Sequence, residues 1–218
     1  MGKRALVTWG GWEGHQPERV AALFAGDLRA EGFEVEVTDT LACFDDAGRV
    51  KSFDLIVPVW TMSQIEKDRS QAVADAVAAG TGLAGCHGGM CDAFRTDVLW
   101  QFMTGAQWVA HPGNDGVEYK VRITDPGNPL VAGIADFMVK TEQYYLHIDP
   151  AVKVHAVTDF PVVDGPHAAN GAVAMPVAFT KLWGKGRVYY NALGHQADVI
   201  DHGPPREMIR RGMLWAAR

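Results

Sequence analysis

The chain has 218 residues, 48% hydrophobic and 21% charged, with a formal net charge of −6, enough to bury a sizeable core. The acidic balance lacks any basic run, which argues against a nucleic-acid partner, and the longest apolar runs are strand-sized, too short for a bilayer span. Three cysteines, Cys43, Cys86 and Cys91, form an odd set without zinc-finger spacing and fit a reduced, cytoplasmic setting.

Lys3 and Arg4 precede an apolar stretch that Thr8, Gly10, Gly11 and Glu13 soon interrupt, so a secretory signal is not expected. Arg4 to Trp9 reads as the first strand. Pro17 opens a helix at its first position, where a missing N–H costs nothing. Val20, Leu23, Phe24 and Leu28 give that helix an apolar stripe, and Gly32 ends it. Phe33 to Thr38 is the second strand. Phe53 to Trp60 is the third, and its near-continuous apolarity suggests a parallel strand buried on both faces. Ser63 and Glu66 have capping-box spacing for a helix over 64–79, with Ile65, Ala72, Val73, Ala76 and Val77 inward and Gly80 as the stop. This βα rhythm over residues 4 to 86 predicts a parallel, doubly wound sheet.

The most informative stretch follows. Thr81-Gly82-Leu83-Ala84-Gly85-Cys86-His87-Gly88-Gly89 is a short apolar strand ending in a tight turn between small residues, close to the nucleophile elbow of α/β hydrolytic enzymes. Such a turn lifts a side chain above the carboxyl end of the sheet, where open α/β sheets bind ligands. Cys86 and His87 both compete for that role, and a small buried residue suited to a tight elbow is the plain alternative for Cys86.

The second half reads as strands: Val117 to Ile123, Phe137 to His147, Val152 to Thr158, Ala172 to Thr180 and Arg187 to Leu193, with turns at Asp125-Pro126-Gly127-Asn128-Pro129 and Gly184-Lys185-Gly186. Glu207 to Ala217 is a closing helix. No repeat or linker divides the chain, so residues 1–218 are read as one domain. Among the histidines, His15, His87 and His195 each follow a strand end, so in a parallel sheet they can converge on one rim together with Trp60. His111 lies in a loop, and His147 follows Tyr144-Tyr145. Within the predicted strand Val139 to His147, Glu142 and Tyr144 share one face. There a carboxylate and a phenol can hold sugar hydroxyls or act as acid and base, unless the segment is a solvent-facing edge.

Gly14-His15, Cys86-His87-Gly88-Gly89, Ala110-His111-Pro112-Gly113, Thr141-Glu142-Gln143-Tyr144, the run from Gly184 to His195 and the closing Arg211-Gly212-Met213-Leu214-Trp215-Ala216-Ala217 resemble the ThuA-like (trehalose-utilisation) family over nearly the whole chain. The resemblance implies a three-layer, mostly parallel α/β fold of the class I glutamine amidotransferase-like (flavodoxin-like) kind, here with extra strands in the second half. It also implies a role in disaccharide catabolism, often beside oxidoreductases that make 3-keto sugars. The chain departs from the family at Cys86, where an apolar residue is common, and at Asn128, where a histidine is common. Hydrolytic members of the wider superfamily pair an elbow cysteine with a histidine that a Glu two residues later orients. His195 stands in that place, but Ala197 follows and the first acid is Asp198.

The leading expectation is an enzyme acting on a sugar or keto-sugar. His87, Glu142 and His195 are its candidate catalytic groups, and Trp12, His15, Trp60, His111, Tyr144 and His147 its candidate substrate contacts. His15, His87 and His195 are candidate ligands of a divalent zinc or manganese ion, although their spacing carries no metal signature. No nucleotide cofactor is expected, no membrane partner either, and homodimerisation is left open. The alternatives are a cysteine hydrolase using Cys86 and His195, and a non-catalytic sugar-binding or regulatory protein. Of the two elbow residues, His87 is expected to matter more, since the thiol would lack an oriented base.

Overall fold

The computed structural model describes residues 2–218. The first half runs β1 Arg4–Gly11, α1 Pro17–Ala30, β2 Glu34–Thr38, α2 Ala47–Lys51, β3 Leu55–Thr61, α3 Lys67–Ala79, β4 Gly82–Cys86, α4 Gly88–Cys91 and α5 Val98–Thr104. The second half runs β5 Ala106–Ala110, β6 Val117–Ile123, β7 Phe137–Thr141, β8 Tyr145–Ile148, β9 Lys153–Phe160, β10 Val173–Trp183, β11 Gly186–Asn191 and α6 Gly203–Ala216. Among the described residues no helix is long and apolar enough to cross a membrane.

One mixed sheet of nine strands, ordered β2-β1-β3-β4-β11-β10-β9-β6-β7, crosses both halves, and β5 pairs with β8 in a separate ribbon. The strands from β2 to β11 pair in parallel. From β10 outward every pairing is antiparallel. β11 joins the two parts: it returns from β10 through the two-residue turn Gly184-Lys185 and lies parallel to β4. The parallel part begins with the order of a doubly wound sheet, so the carboxyl ends of β1, β3, β4 and β11 share one rim.

Close packing fixes helices on both faces. On β4 a Cβ at Gly82 would fall 2.2 Å from the Ala216 carbonyl of α6, whereas one at Gly85 would fall 2.9 Å from Met90 of α4. Residues three apart on a strand point to opposite faces, so α6 and α4 cover opposite sides. The core of the parallel part is apolar: Leu6, Leu55, Ile56 and Leu83 are fully covered, as the unbroken apolar run of β3 predicts. In β6, Tyr119 and Val121 are buried while Glu118 and Lys120 are exposed, the alternation of a half-solvated strand.

Several expectations are corrected. The Ser63–Glu66 capping box does not form: α3 starts after Glu66 without a side-chain cap. Ser63 instead bonds through its N–H to the Ala93 carbonyl, 2.9 Å, because the segment after β3 pairs with the loop beyond α4. The long strand Phe137 to His147 is broken at Glu142-Gln143-Tyr144, and its two ends belong to different sheets. The closing helix begins at Gly203, with Pro204 and Pro205 inside its first turn, where proline is tolerated. α5 was not expected; Asp97 caps it, its Oδ1 accepting the Trp100 N–H at 2.7 Å.

Candidate functional site

Three of the site's side chains come from carboxyl ends of parallel strands. β1 ends in Gly10-Gly11, and Gly11, at φ 84°, lies so close to β3 that a Cβ would stand 2.0 Å from the Thr61 carbonyl. The chain then turns through Glu13–His15 and carries His15 back over the rim, where its Nδ1 meets Thr61 Oγ1 at 3.0 Å. β4 ends in the elbow. His87 adopts φ 49°, ψ −142°, a region that a side-chain-bearing residue enters only under external restraint. The restraints are visible: its N–H donates to the Asn191 carbonyl at 2.7 Å and Tyr190 Oη donates to its carbonyl at 3.2 Å. Gly88 leaves room for the His15 ring, since a Cβ there would be 2.7 Å from Cε1. After β11 the chain runs through Gly194 to His195.

The fourth group comes from the antiparallel part. Where the expected long strand breaks, Glu142 and Tyr144 turn toward the rim and Gln143 turns away. Gln143 Nε2 donates to Thr158 Oγ1 at 2.9 Å and to the Asp159 carbonyl at 3.0 Å, while its Oε1 accepts the Val162 N–H at 3.1 Å. Tyr119 Oη donates to the Glu142 carbonyl at 2.9 Å. Gln143 is therefore a clamp on the turn, a role that nothing in its identity announces.

The result is a buried cluster. The rings of His15, His87 and His195 form a triangle with centroid separations of 4.8, 5.1 and 5.5 Å. Glu142 Oε2 lies 3.2 Å from His87 Nε2 and 3.4 Å from His195 Nδ1. Ligand atoms of the four residues all lie within 4.8 Å of one another. His87 is 1% exposed, Glu142 and His195 6%, His15 7%. The ring nitrogens facing away from the centre are held, by Thr61 for His15 and by Tyr144 Oη for His87 at 3.0 Å. Tyr144 also stacks on His87, centroids 4.0 Å apart.

Burial sets the charge states. It lowers His15 to about 3, helped by the neighbouring His87 and His195. It lowers His87 to about 4 against the pull of Glu142. For Glu142 burial works upward, but its close contacts with His195 and His87 outweigh it and hold the carboxyl below the usual range. For His195 burial works downward, and the close Glu142 carboxylate overcomes it to raise the imidazole. Burial keeps the Tyr144 phenol protonated. Three imidazoles with a carboxylate among them are a donor set suited to a divalent transition-metal ion, and the outer bonds from Thr61 and Tyr144 are those that fix ligating imidazoles.

A cavity of about 650 Å³ opens over the cluster, with Trp12, His15, Met62, Asp92, Arg95, Trp108, His111, Asn114, Asp115, Glu142, Tyr144 and His195 on its walls. His87 lies beneath them. His111 Nε2 stands 3.7 Å from Glu142 Oε1. Three expected site residues fall outside. Cys86 is buried under the elbow against Gly194, and burial pushes its thiol up to about 12; it neither reaches the cavity nor forms a thiolate readily. Trp60 packs over Gly10, where a Cβ would be 2.8 Å from its ring. His147 is exposed on β8, turned away because the break at Glu142 to Tyr144 moves the chain into the other sheet. Asp92, Arg95, Trp108 and Met62 were not anticipated. Asp92 is the C-cap of α4, so only its nearness to the elbow could have marked it.

The ThuA family model, described as trehalose utilisation, matches residues 4–216. No curated protein matches the chain. A putative ThuA-like protein from Parabacteroides merdae is similar in structure, with a TM-score of 0.75 at 14% identity over 99% of this chain and 90% of that one. A putative ThuA-like protein from Bacteroides uniformis gives a TM-score of 0.74 at 15% identity, over 98% and 91%. A cytoplasmic protein from Salmonella typhimurium gives 0.67 at 12% identity, over 99% of both chains. At these identities the likeness concerns the fold.

Proposed function

The chain belongs to the ThuA family, and from that premise we propose that it is a metal-assisted enzyme of carbohydrate catabolism acting on a sugar or 3-keto sugar by acid–base chemistry. The observation that carries the reading is the buried quartet His15, His87, His195 and Glu142, with ligand atoms within 4.8 Å of one another under an aromatic-walled cavity. Its Glu142 Oε2, His87 Nε2 and His195 Nδ1 are buried without hydrogen bonds of good geometry, as donors meant for an ion would be. A divalent zinc or manganese ion held by the four would supply Lewis acidity toward a carbonyl or hydroxyl oxygen of the sugar.

The chain's own residues do the rest. With Nε2 of His87 turned inward, its proton sits on Nδ1 and is donated to Tyr144 Oη, which leaves the phenolic O–H free to donate into the cavity. His111 is the cavity histidine outside the quartet, with 27% of its side chain exposed. It takes a proton from the carbon next to a sugar carbonyl; that proton goes to the neighbouring carbon in isomerisation or to the departing glycosidic oxygen in elimination, and in epimerisation the Tyr144 O–H supplies the new proton to the carbon. The indole of Trp12, against His15 and His195, offers a flat apolar face to a sugar ring. The proposed setting is the cytoplasm, as in the name of the Salmonella neighbour, with one domain over residues 1–218 and a class I glutamine amidotransferase-like layering. The cysteine-hydrolase alternative is not retained, since the Cys86 thiol is buried away from the cavity.

The test is elemental analysis of the purified protein combined with turnover of 3-keto glycosides. About one ion per chain is expected, with activity abolished by chelation and restored by zinc or manganese. Full turnover in thoroughly chelated protein would overturn the metal-assisted reading.

A further inference from the structure

The quartet occupies only part of the cavity. Next to Tyr144 lies a second group of side chains with no part in the chemistry above. Arg95 donates from Nε and Nη2 to the two oxygens of Asp92, at 2.6 and 2.9 Å. Its guanidinium also lies over the Trp108 ring, 4.6 Å from the centroid. Asp92 is almost fully buried, with 3% of its side chain exposed, whereas Arg95 is 43% exposed. Nη1 of Arg95 has no protein partner among the described residues. Nearby, Trp108 Nε1 is buried with no hydrogen-bond partner. A buried carboxylate, a guanidinium held over an indole by two bonds to that carboxylate, and an orphaned indole N–H form a polar corner.

The aromatic residues place this corner relative to the quartet. Trp12 contacts His15 and His195, at 4.8 and 6.4 Å between centroids. Trp108 contacts His111 and Tyr144, at 5.2 and 6.2 Å. The two indoles therefore neighbour different parts of the cavity wall, Trp12 the quartet histidines His15 and His195, Trp108 the residues His111 and Tyr144. Charge narrows the ligand further. At the corner itself the Arg95 guanidinium is offset by the Asp92 carboxylate, and Asp115 adds a further carboxylate to the same cavity, a local balance that suits a neutral ligand better than a phosphate or carboxylate.

We propose that Trp108, Arg95 and Asp92 form a hydroxyl-binding subsite for the second, non-reacting ring of a neutral glycoside, while the reacting ring lies over the quartet beside Trp12. This rests on the reading of the cavity as a sugar site. Adjacent hydroxyls of the second ring accept from Arg95 Nη1 and Trp108 Nε1 and donate to the free lone pairs of Asp92, and the ring face packs on the indole.

The experiment is calorimetric titration of the purified metal-loaded chain with trehalose, glucose and glucose 6-phosphate, repeated on Arg95→Ala and Trp108→Phe. Trehalose is expected to bind at least about tenfold more tightly than glucose, the worth of one or two charge-assisted hydrogen bonds. Both variants should bring trehalose down to the glucose affinity and leave glucose itself unchanged. Arg95→Ala bares the Asp92 carboxylate; should it fail to fold, Trp108→Phe, which deletes one N–H and keeps the ring, decides alone. Equal binding of trehalose and glucose by the unmodified chain overturns the subsite, as does a trehalose preference that both variants keep. So does glucose 6-phosphate binding tightest and losing its advantage in Arg95→Ala, which would make the corner an anion site. Absence of binding by all three probes would overturn the sugar reading itself, and the subsite with it.

Discussion

The parallel and antiparallel parts of the sheet supply the site by different means. In the parallel part, His15, His87 and His195 follow β1, β4 and β11, and the topology alone brings three strand ends to one rim. In the antiparallel part, Glu142 and Tyr144 arrive because a strand stops. β7 ends at Thr141, three residues leave the sheet, and the chain resumes as β8 in a different ribbon. One part places residues by following the rule of its architecture, the other by an interruption that Gln143 and Tyr119 hold in place. A site assembled this way needs both parts, and that dependence can be tested.

The strongest test compares His87→Ala from the parallel part with Glu142→Gln from the antiparallel part. Each is expected to strip the metal and lower turnover by at least about a hundredfold, read by elemental analysis and steady-state rates. If Glu142→Gln keeps its ion and most of its activity, the antiparallel part only covers a site that the parallel part completes.

Acid should weaken the chain through the buried histidines of the parallel part. In the metal-free chain His15 and His87 sit at about 3 and about 4 instead of 6.5. They stay neutral in the fold while the unfolded chain takes up protons. Their contribution is complete above pH 6.5 and is lost as pH falls toward those values, by up to about 1.4 kcal/mol per pH unit for each. His195, with its raised pKa, works the other way and loses its contribution as pH rises. Denaturant titrations of chelated protein between pH 6.5 and 4.5 should show the fall, to which His155, also lowered by burial, adds, and His15→Asn should make the slope clearly shallower. An unchanged slope would assign the acid sensitivity elsewhere.

Tyr144→Phe probes the join between the two parts. It keeps the ring stacked on His87 and removes the oxygen that holds Nδ1. Metal affinity should fall by about 10- to 100-fold, measured by competition with a chromogenic chelator; a smaller change would mean that the elbow alone orients His87. The smallest effect is expected at Cys86→Ala, which lies under the elbow. Metal content and turnover should stay within about twofold, since the lost sulfur is core packing. Inactive but folded Cys86→Ala would return the thiol to the chemistry.

Much of the parallel part was legible from sequence, and the reason is physical. Pro17, Gly32 and Gly80 punctuate helices whose apolar faces recur at helical spacing, and β3 has the continuous apolarity of a doubly covered strand. The convergence of three histidines follows from that rhythm. The antiparallel part was legible only as strands. Nothing local distinguishes Thr141-Glu142-Gln143-Tyr144 from extended chain, because what stops the strand is a set of bonds from Gln143 to residues 158, 159 and 162, remote in sequence. His147 and Trp60 were misjudged for related reasons: one depends on that break, the other on the bare backbone of Gly10 beneath its ring. Asp92, Arg95 and Trp108 escaped notice because they gather only through the cavity.

The position of β11 bears on how the protein is made. It is the last strand in the chain, yet it lies between β4 and β10 near the middle of the sheet. During synthesis about a hundred residues follow β4 before its partner emerges, so one edge of β4 and one edge of β10 stay open until the end. Pairing at such separation is intrinsically slow, and open strand edges are templates for association with other chains. A ribosome-bound chain stopped before residue 186 should therefore lack both the elbow's anchor at Asn191 and the third histidine. It is also where a chaperone would be most needed.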